Sequence, residues 1–114
     1  MGNCYCNQAV KDFGLREEIH SGTVVLYIKK GCANSDRAQA LLKAVNIKPR
    51  TIEIEDTKYQ NLRFALKGFT GQKDPPYIFI GGKHFGGLYD LEVGIKQKTV
   101  QKLIKIAEER SAEY

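Results

Sequence analysis

Cysteine is scarce in this chain of 114 residues, which contains only Cys4, Cys6 and Cys32. Three unevenly placed cysteines are too few for the disulfide framework of a small secreted domain, so we expect a reducing, cytoplasmic environment. The sequence shows no charged leader followed by an apolar segment, so we expect no secretory signal. No apolar run approaches the roughly 20 residues that a membrane-spanning helix needs.

Positive charge is in only moderate excess, because the chain has 18 Lys and Arg residues and 13 Asp and Glu residues, for a net charge of +5. A nucleic-acid-binding protein would concentrate its basic residues on one face with aromatic residues between them. Here they are scattered among acidic residues, so we expect a solvated surface and no nucleic-acid partner. The alternative is a preference for anionic peptides or for a negatively charged membrane leaflet.

From the length we expect one domain and not a two-domain enzyme with a large cofactor-binding fold. With 42% apolar and 27% charged residues, the composition is that of an ordinary globular protein. Residues 1–8 are short, polar and without periodicity, which predicts a loose tail. Residues 9–114 are predicted to form the domain.

Hydrophobic periodicity predicts an α/β order of elements. Helices are expected over residues 9–20, 33–45 and about 58–67, with one more at the C-terminal end, and strands over 23–28, 51–55, 77–80 and 83–85. The run Thr23–Ile28 is typical of a strand buried on both faces, and Gly81-Gly82 indicates a two-residue hairpin. A strand–helix–strand beginning requires a parallel crossover, whereas the hairpin requires an antiparallel pair. We therefore predict a small mixed four-stranded sheet flanked by helices.

The apolar spacing also predicts which side chains of the first and last helices face the core. These are Val10, Phe13 and Ile19 in the first helix, and Val100, Leu103, Ile104 and Ala107 in the last.

Cys32 follows the buried strand in a glycine-containing loop that opens directly into a helix. Unpaired amides and the positive end of the helix dipole favour a thiolate there and lower the cysteine pKa. Lys29 and Lys30 add positive potential. A thiolate at neutral pH attacks disulfides, so the position suits a redox or nucleophilic cysteine. The alternative is a small buried hydrophobic residue in a strand-to-helix turn.

A second redox thiol would be expected three residues after Cys32, and that position holds Ser35. Cys32 and Ser35 cannot close an internal disulfide. Any exchange that begins at Cys32 must be resolved by an outside thiol such as glutathione. This restricts the chemistry to mixed disulfides or to ligation.

Two further motifs surround the third predicted strand. Asp74-Pro75-Pro76 precedes it, and a cis bond there would tilt the backbone toward the site. The alternative is a rigid loop without contact to Cys32. After the hairpin, Gly86-Gly87 leads into helical sequence. Exposed amides there, together with Asp90, can hold the charged end of a ligand. His84 is interpreted as a surface side chain.

From about Thr23 to Ala107 the chain resembles the glutaredoxin family in the order and spacing of these motifs. The matching features are Lys29-x-x-Cys32 between strand and helix, Thr70-Gly71-Gln72-Lys73, a proline before Tyr77–Ile80, and the segment from Gly81 to Gly87 followed by Asp90. The resemblance implies a thioredoxin-like fold, with Cys32 as the nucleophile, glutathione as co-substrate and glutathionylated proteins as substrates.

The resemblance also implies a glutathione-binding set: Lys29 and Gln72 at the glycine carboxylate, Pro75 at the cysteinyl part beside the cis-proline Pro76, and the Tyr89 amide with Asp90 at the γ-glutamyl end. One departure concerns Asp74-Pro75, where the family usually has Thr-Val. Because Pro75 has no N–H, one main-chain hydrogen bond to glutathione is missing. Asp74 adds a negative charge beside an anionic tripeptide, and both changes predict weaker or altered glutathione binding.

Ser35 makes the chain resemble the monothiol members, although Ala33-Asn34 differs from the Gly-Phe pair of the main iron–sulfur-handling group. Small side chains in that loop can permit a bridging 2Fe-2S cluster. Its ligands would be Cys32 from each of two subunits and two glutathiones. A dimeric cluster carrier is therefore an alternative to a monomeric enzyme.

The first residues allow a different role. Gly2 is a candidate for myristoylation, and Cys4 and Cys6 are candidates for palmitoylation, although Cys6 occupies the position where Ser or Thr is usual. Two acyl chains would give stable peripheral membrane association. The alternatives are a plain tail with exposed thiols or a disulfide from this tail to Cys32. With weak glutathione binding, an acylated chain would act as a non-catalytic adaptor.

Overall fold

The computed structural model describes residues 15–54 and 62–112. Its elements in chain order are α1 (Leu15–Glu18), β1 (Val24–Ile28), α2 (Ala33–Ala44), β2 (Arg50–Glu53), α3 (Leu62–Thr70), β3 (Tyr77–Ile80), β4 (Lys83–Gly86), α4 (Leu88–Lys96) and α5 (Thr99–Ala112). The strands form one sheet in the order β2-β1-β3-β4. β1 pairs parallel with β2 and antiparallel with β3, and β3 pairs antiparallel with β4. The predicted mixed four-stranded sheet is confirmed.

β1 lies at the centre of the sheet, and all five of its residues are buried. Because side chains alternate along a strand, Val25 and Tyr27 contribute to an apolar cluster on one face, with Ile19 from the turn after α1 and Leu66 from α3. Leu26 faces the other cluster, which the buried side chains of α2, α4 and α5 complete. The prediction of a strand buried on both faces is confirmed.

Strand register brings the predicted motifs to one end of the sheet. Tyr27 near the end of β1 pairs with Tyr77 at the start of β3, and Ile78 pairs with Gly86 at the end of β4. The loop after β1, the proline loop before β3 and the start of α4 therefore meet at the same end of the sheet.

The predicted hairpin is also confirmed. Ile80 pairs with Lys83 across Gly81 and Gly82, whose φ angles are 62° and 81°. Both residues occupy the left-handed region, which glycine adopts without a Cβ clash.

The C-terminal part differs from the prediction of a single helix. α4 ends at Lys96, and Lys98 adopts a φ of 63° before α5 begins. The left-handed residue changes the chain direction, so α5 packs through Val100 and Ile104. Leu103, predicted to face the core, is 36% exposed because it lies on the side of α5 that borders a groove.

Some boundaries also move. A helix is predicted over residues 9–20; of the described residues in that range, Leu15–Glu18 are helical. Ile19 is buried, as expected. The predicted inward residues Val10 and Phe13, like the predicted tail of residues 1–8, lie outside the described residues. Within residues 15–54 and 62–112, no helix combines the length and the apolar character needed to cross a bilayer.

Candidate active site

Cys32 is the residue immediately before α2, and its side chain is partly exposed. Its N–H donates to the Lys29 carbonyl at 3.1 Å, and its carbonyl accepts the Asp36 N–H at 3.0 Å. These two bonds hold the loop in one shape and place the thiol at the amide end of the helix. Partial exposure excludes the alternative of a sealed core cysteine.

The start of α2 favours the ionised form of this thiol. Hydrogen bonding by the Ser35 main-chain N–H is the largest cause that lowers the pKa of Cys32 below its ordinary value. Partial desolvation opposes it, whereas the Ser35 hydroxyl, the Asn34 N–H and the Lys29 charge lower the pKa further. The expected thiolate-stabilising helix start is present, and the lysine charge is its smallest contributor.

Ser35 occupies the place of a second thiol and is fully buried. Its Oγ accepts a hydrogen bond from the Lys29 N–H at 3.1 Å. Because that oxygen accepts from Lys29, the hydroxyl proton remains for the sulfur of Cys32. Ser35 therefore joins the end of β1 to the first turn of α2 and supports the thiolate as well.

An open groove of about 440 Å³ begins two residues beyond Cys32, at Asn34. Its lining residues are Asn34, Gln72, Lys73, Asp74, Pro75, Pro76, Gly87, Leu88, Tyr89, Asp90 and Glu92. Six of the residues predicted for the site thus lie together: Gln72, Pro75, Pro76, Gly87, Tyr89 and Asp90. Cys32 lies beside this lining, and Lys29 is exposed on the strand side of the cysteine loop.

The proline loop forms one wall of the groove, and the bond between Pro75 and Pro76 is cis, as expected. The Gln72 side chain holds this loop. Its Nε2 donates to the carbonyls of Asp74 and Pro76, each at 2.6 Å. Its Oε1 lies 2.9 Å from Nε2 of His84. The contact of Gln72 with a glutathione carboxylate stays a prediction.

The start of α4 forms the opposite wall. The Asp90 carboxylate accepts the Gly87 N–H at 3.2 Å and so caps the helix. Gly86 lies so close to this carboxylate that a Cβ at position 86 would collide with it. The close approach of the backbone to Asp90 therefore explains the glycine at position 86, whereas a Cβ at Gly87 would lie 3.3 Å from Nε2 of Gln72. The predicted contact of Asp90 with a ligand stays a prediction.

Several residues that the sequence did not single out for the site line the groove or support it. Asn34, Lys73, Leu88 and Glu92 are part of the lining. The predicted motifs indicated Asn34, Lys73 and Leu88 indirectly, because each neighbours a predicted residue, whereas no motif indicated Glu92. His84 is an exposed side chain, as predicted, yet it forms a hydrogen bond with Gln72.

A second groove, of about 620 Å³, lies at the opposite end of the sheet beside the β3–β4 turn and α5. It is larger, but its lining contains neither a cysteine nor a carboxylate. Within the described part of the chain, no group of three or more His, Cys, Asp or Glu side chains is arranged to hold a metal ion. The lipidation candidates Gly2, Cys4 and Cys6 lie outside the described residues.

Comparison with known proteins identifies relatives of one kind. The family model for glutaredoxin matches residues 24–85. The chain is 36% identical over 78 residues to monothiol glutaredoxin-S10 of Oryza sativa subsp. japonica, covering 67% of this chain and 48% of that protein. It is 33% identical over 87 residues to glutaredoxin-1 of Rhizophagus irregularis, covering 75% and 86%. The chain spans about half the length of the first curated relatives that it matches.

Solved structures agree with this result. The holo form of glutaredoxin C1 from Populus tremula x tremuloides superimposes with a TM-score of 0.81 at 26% identity, covering 90% of this chain and 94% of that one. A buckwheat glutaredoxin–glutathione complex has a TM-score of 0.80 at 23% identity, with the same coverage, and is similar in fold.

Proposed function

Because this chain belongs to the glutaredoxin family, we propose that it is a glutathione-dependent thiol transferase that acts through Cys32. The observation that carries the proposal is the partly exposed thiol at the start of α2, whose pKa is lowered by the helix amides. It lies beside a groove lined by the cis-proline loop. A glutaredoxin of the same fold has been solved with glutathione bound, which supports glutathione as the ligand.

The first step is thiol–disulfide exchange on a protein–glutathione mixed disulfide. The Cys32 thiolate attacks the glutathionyl sulfur, and a new S–S bond forms as the mixed disulfide breaks. The substrate protein leaves as a thiolate and takes a proton from water, so its sulfur is reduced. The lowered pKa of Cys32 supplies the attacking thiolate at neutral pH.

The second step regenerates the enzyme. The thiolate of a free glutathione attacks the glutathionyl sulfur bound to Cys32, and glutathione disulfide leaves with restoration of the Cys32 thiolate. The proton lost by this glutathione balances the one gained by the substrate thiol. Ser35 cannot perform this step, which supports a monothiol mechanism.

The groove offers groups for both ends of the glutathionyl moiety. α4 begins inside it, so the unpaired first-turn N–H groups of Leu88 and Tyr89 favour a carboxylate there. Lys73 in the lining and Lys29 near Cys32 suit the second carboxylate. Pro75 is also part of the lining, and its main-chain carbonyl can accept the cysteinyl N–H.

The test is turnover of a glutathionylated peptide by the purified full chain with glutathione as reductant. Cys32→Ser is expected to abolish catalysis. A variant carrying both Cys4→Ser and Cys6→Ser is the matched cysteine control and should keep the wild-type rate. A wild-type rate no faster than free glutathione alone would contradict the proposal, and undetectable glutathione binding in calorimetry would instead favour the adaptor role.

A further inference from the structure

Every polar atom of the Gln72 side chain is engaged. A glutamine amide has two N–H donors, and both serve the proline loop, at the Asp74 and Pro76 carbonyls. The remaining atom, Oε1, faces Nε2 of His84 at 2.9 Å. Because Oε1 can only accept, Nε2 of His84 must carry the proton and donate.

This arrangement determines which way the Gln72 amide points. Rotated by half a turn, the amide would place its oxygen against two carbonyl oxygens, where no hydrogen bond can form. The two loop carbonyls therefore select the orientation in which Nε2 faces the loop, and the His84 N–H satisfies the amide oxygen that this orientation turns away from the loop. His84 thus holds the Gln72 side chain from one end, while the other end bonds to the carbonyls on both sides of Pro75.

The sheet holds the His84 ring in place. His84 pairs in register with Phe79, and the two ring centroids are 5.5 Å apart. Phe79 is fully buried, so the imidazole rests on the core. Desolvation lowers the pKa of His84, and the Asp90 carboxylate opposes this shift. The neutral ring is therefore favoured at pH 7, with one N–H available for Gln72.

The proline loop depends on this support because its own donors are missing. Neither Pro75 nor Pro76 has a main-chain N–H. The loop therefore cannot be fixed by amide bonds from these two residues, and the Gln72 side chain supplies donors from outside. Gln72 itself is held by the Tyr77 hydroxyl, which donates to its carbonyl at 3.0 Å.

We propose that His84 is a positioning residue of the active site, which acts through Gln72 to fix the Pro75 carbonyl where the glutathionyl part of the substrate docks. The role rests on the proposed function and deepens it, because it assigns substrate positioning to a residue outside the groove lining. His84 does not touch the reacting sulfurs, so its loss is expected to affect substrate binding and not the ionisation of Cys32.

The experiment compares His84→Leu with His84→Gln. Leucine keeps an apolar contact with Phe79 but removes the donor, so KM for a glutathionylated peptide is expected to rise about 3- to 10-fold with little change in kcat. Glutamine can place an N–H donor near the position of the imidazole Nε2 and should restore most of the wild-type KM. The rate of Cys32 alkylation against pH should be the same in all three proteins. His20→Leu, at the other end of the sheet, is the matched histidine control and should leave KM unchanged.

A second readout is independent of turnover. NMR should detect the two Gln72 side-chain amide protons as separate, slowly exchanging signals in the wild type and in His84→Gln, and should lose that protection in His84→Leu. An unchanged KM in His84→Leu, equal KM increases in both variants, or unaltered amide protection would overturn the proposal. An inactive wild type would contradict the proposed function instead, and the amide signals would still decide the role of His84.

Discussion

Replacing Pro75 by valine should strengthen the binding of the glutathionyl substrate. Residue 75 lies in the groove lining between two carbonyls that Gln72 already holds. Proline at this position can offer a carbonyl but no N–H. Pro75→Val adds that donor at a main-chain position whose neighbours are fixed, so little ordering is needed to use it.

One additional hydrogen bond contributes about 0.5–1.5 kcal/mol net. With about 1.4 kcal/mol for each tenfold change in affinity, KM for a glutathionylated peptide should fall roughly 2- to 12-fold. A bond made equally in the ground and transition states leaves kcat unchanged. Steady-state kinetics over a range of peptide concentrations, at saturating glutathione, measure both constants.

Pro49→Val is the matched control because Pro49 precedes β2 at the other end of the sheet, where Arg50 pairs with Val25. Both replacements make the unfolded chain more flexible and should each lower the free energy of unfolding by about 0.4–1 kcal/mol. Only Pro75→Val should change KM. An unchanged or higher KM in a Pro75→Val protein that is otherwise folded would refute the reasoning about the missing donor.

Further changes test the thiolate and the packing. Ser35→Ala removes a hydroxyl that lowers the pKa of Cys32, so the alkylation profile should move to higher pH; an unmoved profile would contradict that role. Gly94→Ala forces a Cβ against core side chains and should lower the free energy of unfolding by about 1–3 kcal/mol in urea titration. Gly68→Ala, where a Cβ meets nothing within 4 Å, should raise it by up to about 1 kcal/mol, and equal effects at the two glycines would be inconsistent with the packing. Leu42→Ala should cost about 2–5 kcal/mol, and a loss below about 1 kcal/mol would contradict its full burial.

The sheet and the position of Cys32 could be predicted because their signals are local. The continuous apolar run of β1 indicated a central strand, and Gly81-Gly82 indicated an antiparallel return. Once these two features are combined, strand pairing alone brings the cysteine loop to the proline loop. The thiolate-favouring environment follows equally locally, since the amides that lower the pKa belong to residues 34 and 35.

The parts that were missed depend on tertiary geometry. Lys98 interrupts the last helical region without a glycine or proline to indicate the break. The hydrogen bond between His84 and Gln72 joins one residue that precedes β3 in the sequence to one that follows it. It depends on the irregular register between Ile78 and Phe79, where β4 gains an extra residue. Neither the bulge nor the direction of the imidazole can be read from the spacing of residues alone.

The two outer strands limit how copies of this chain can associate. β2 and β4 are each four residues long, and most of their side chains are exposed, including Arg50, Glu53, Lys83 and His84. Short edge strands that carry charged side chains are poor templates for pairing with a strand of another molecule. Any self-association is therefore expected to use loops or helix surfaces and not a continuous intermolecular sheet.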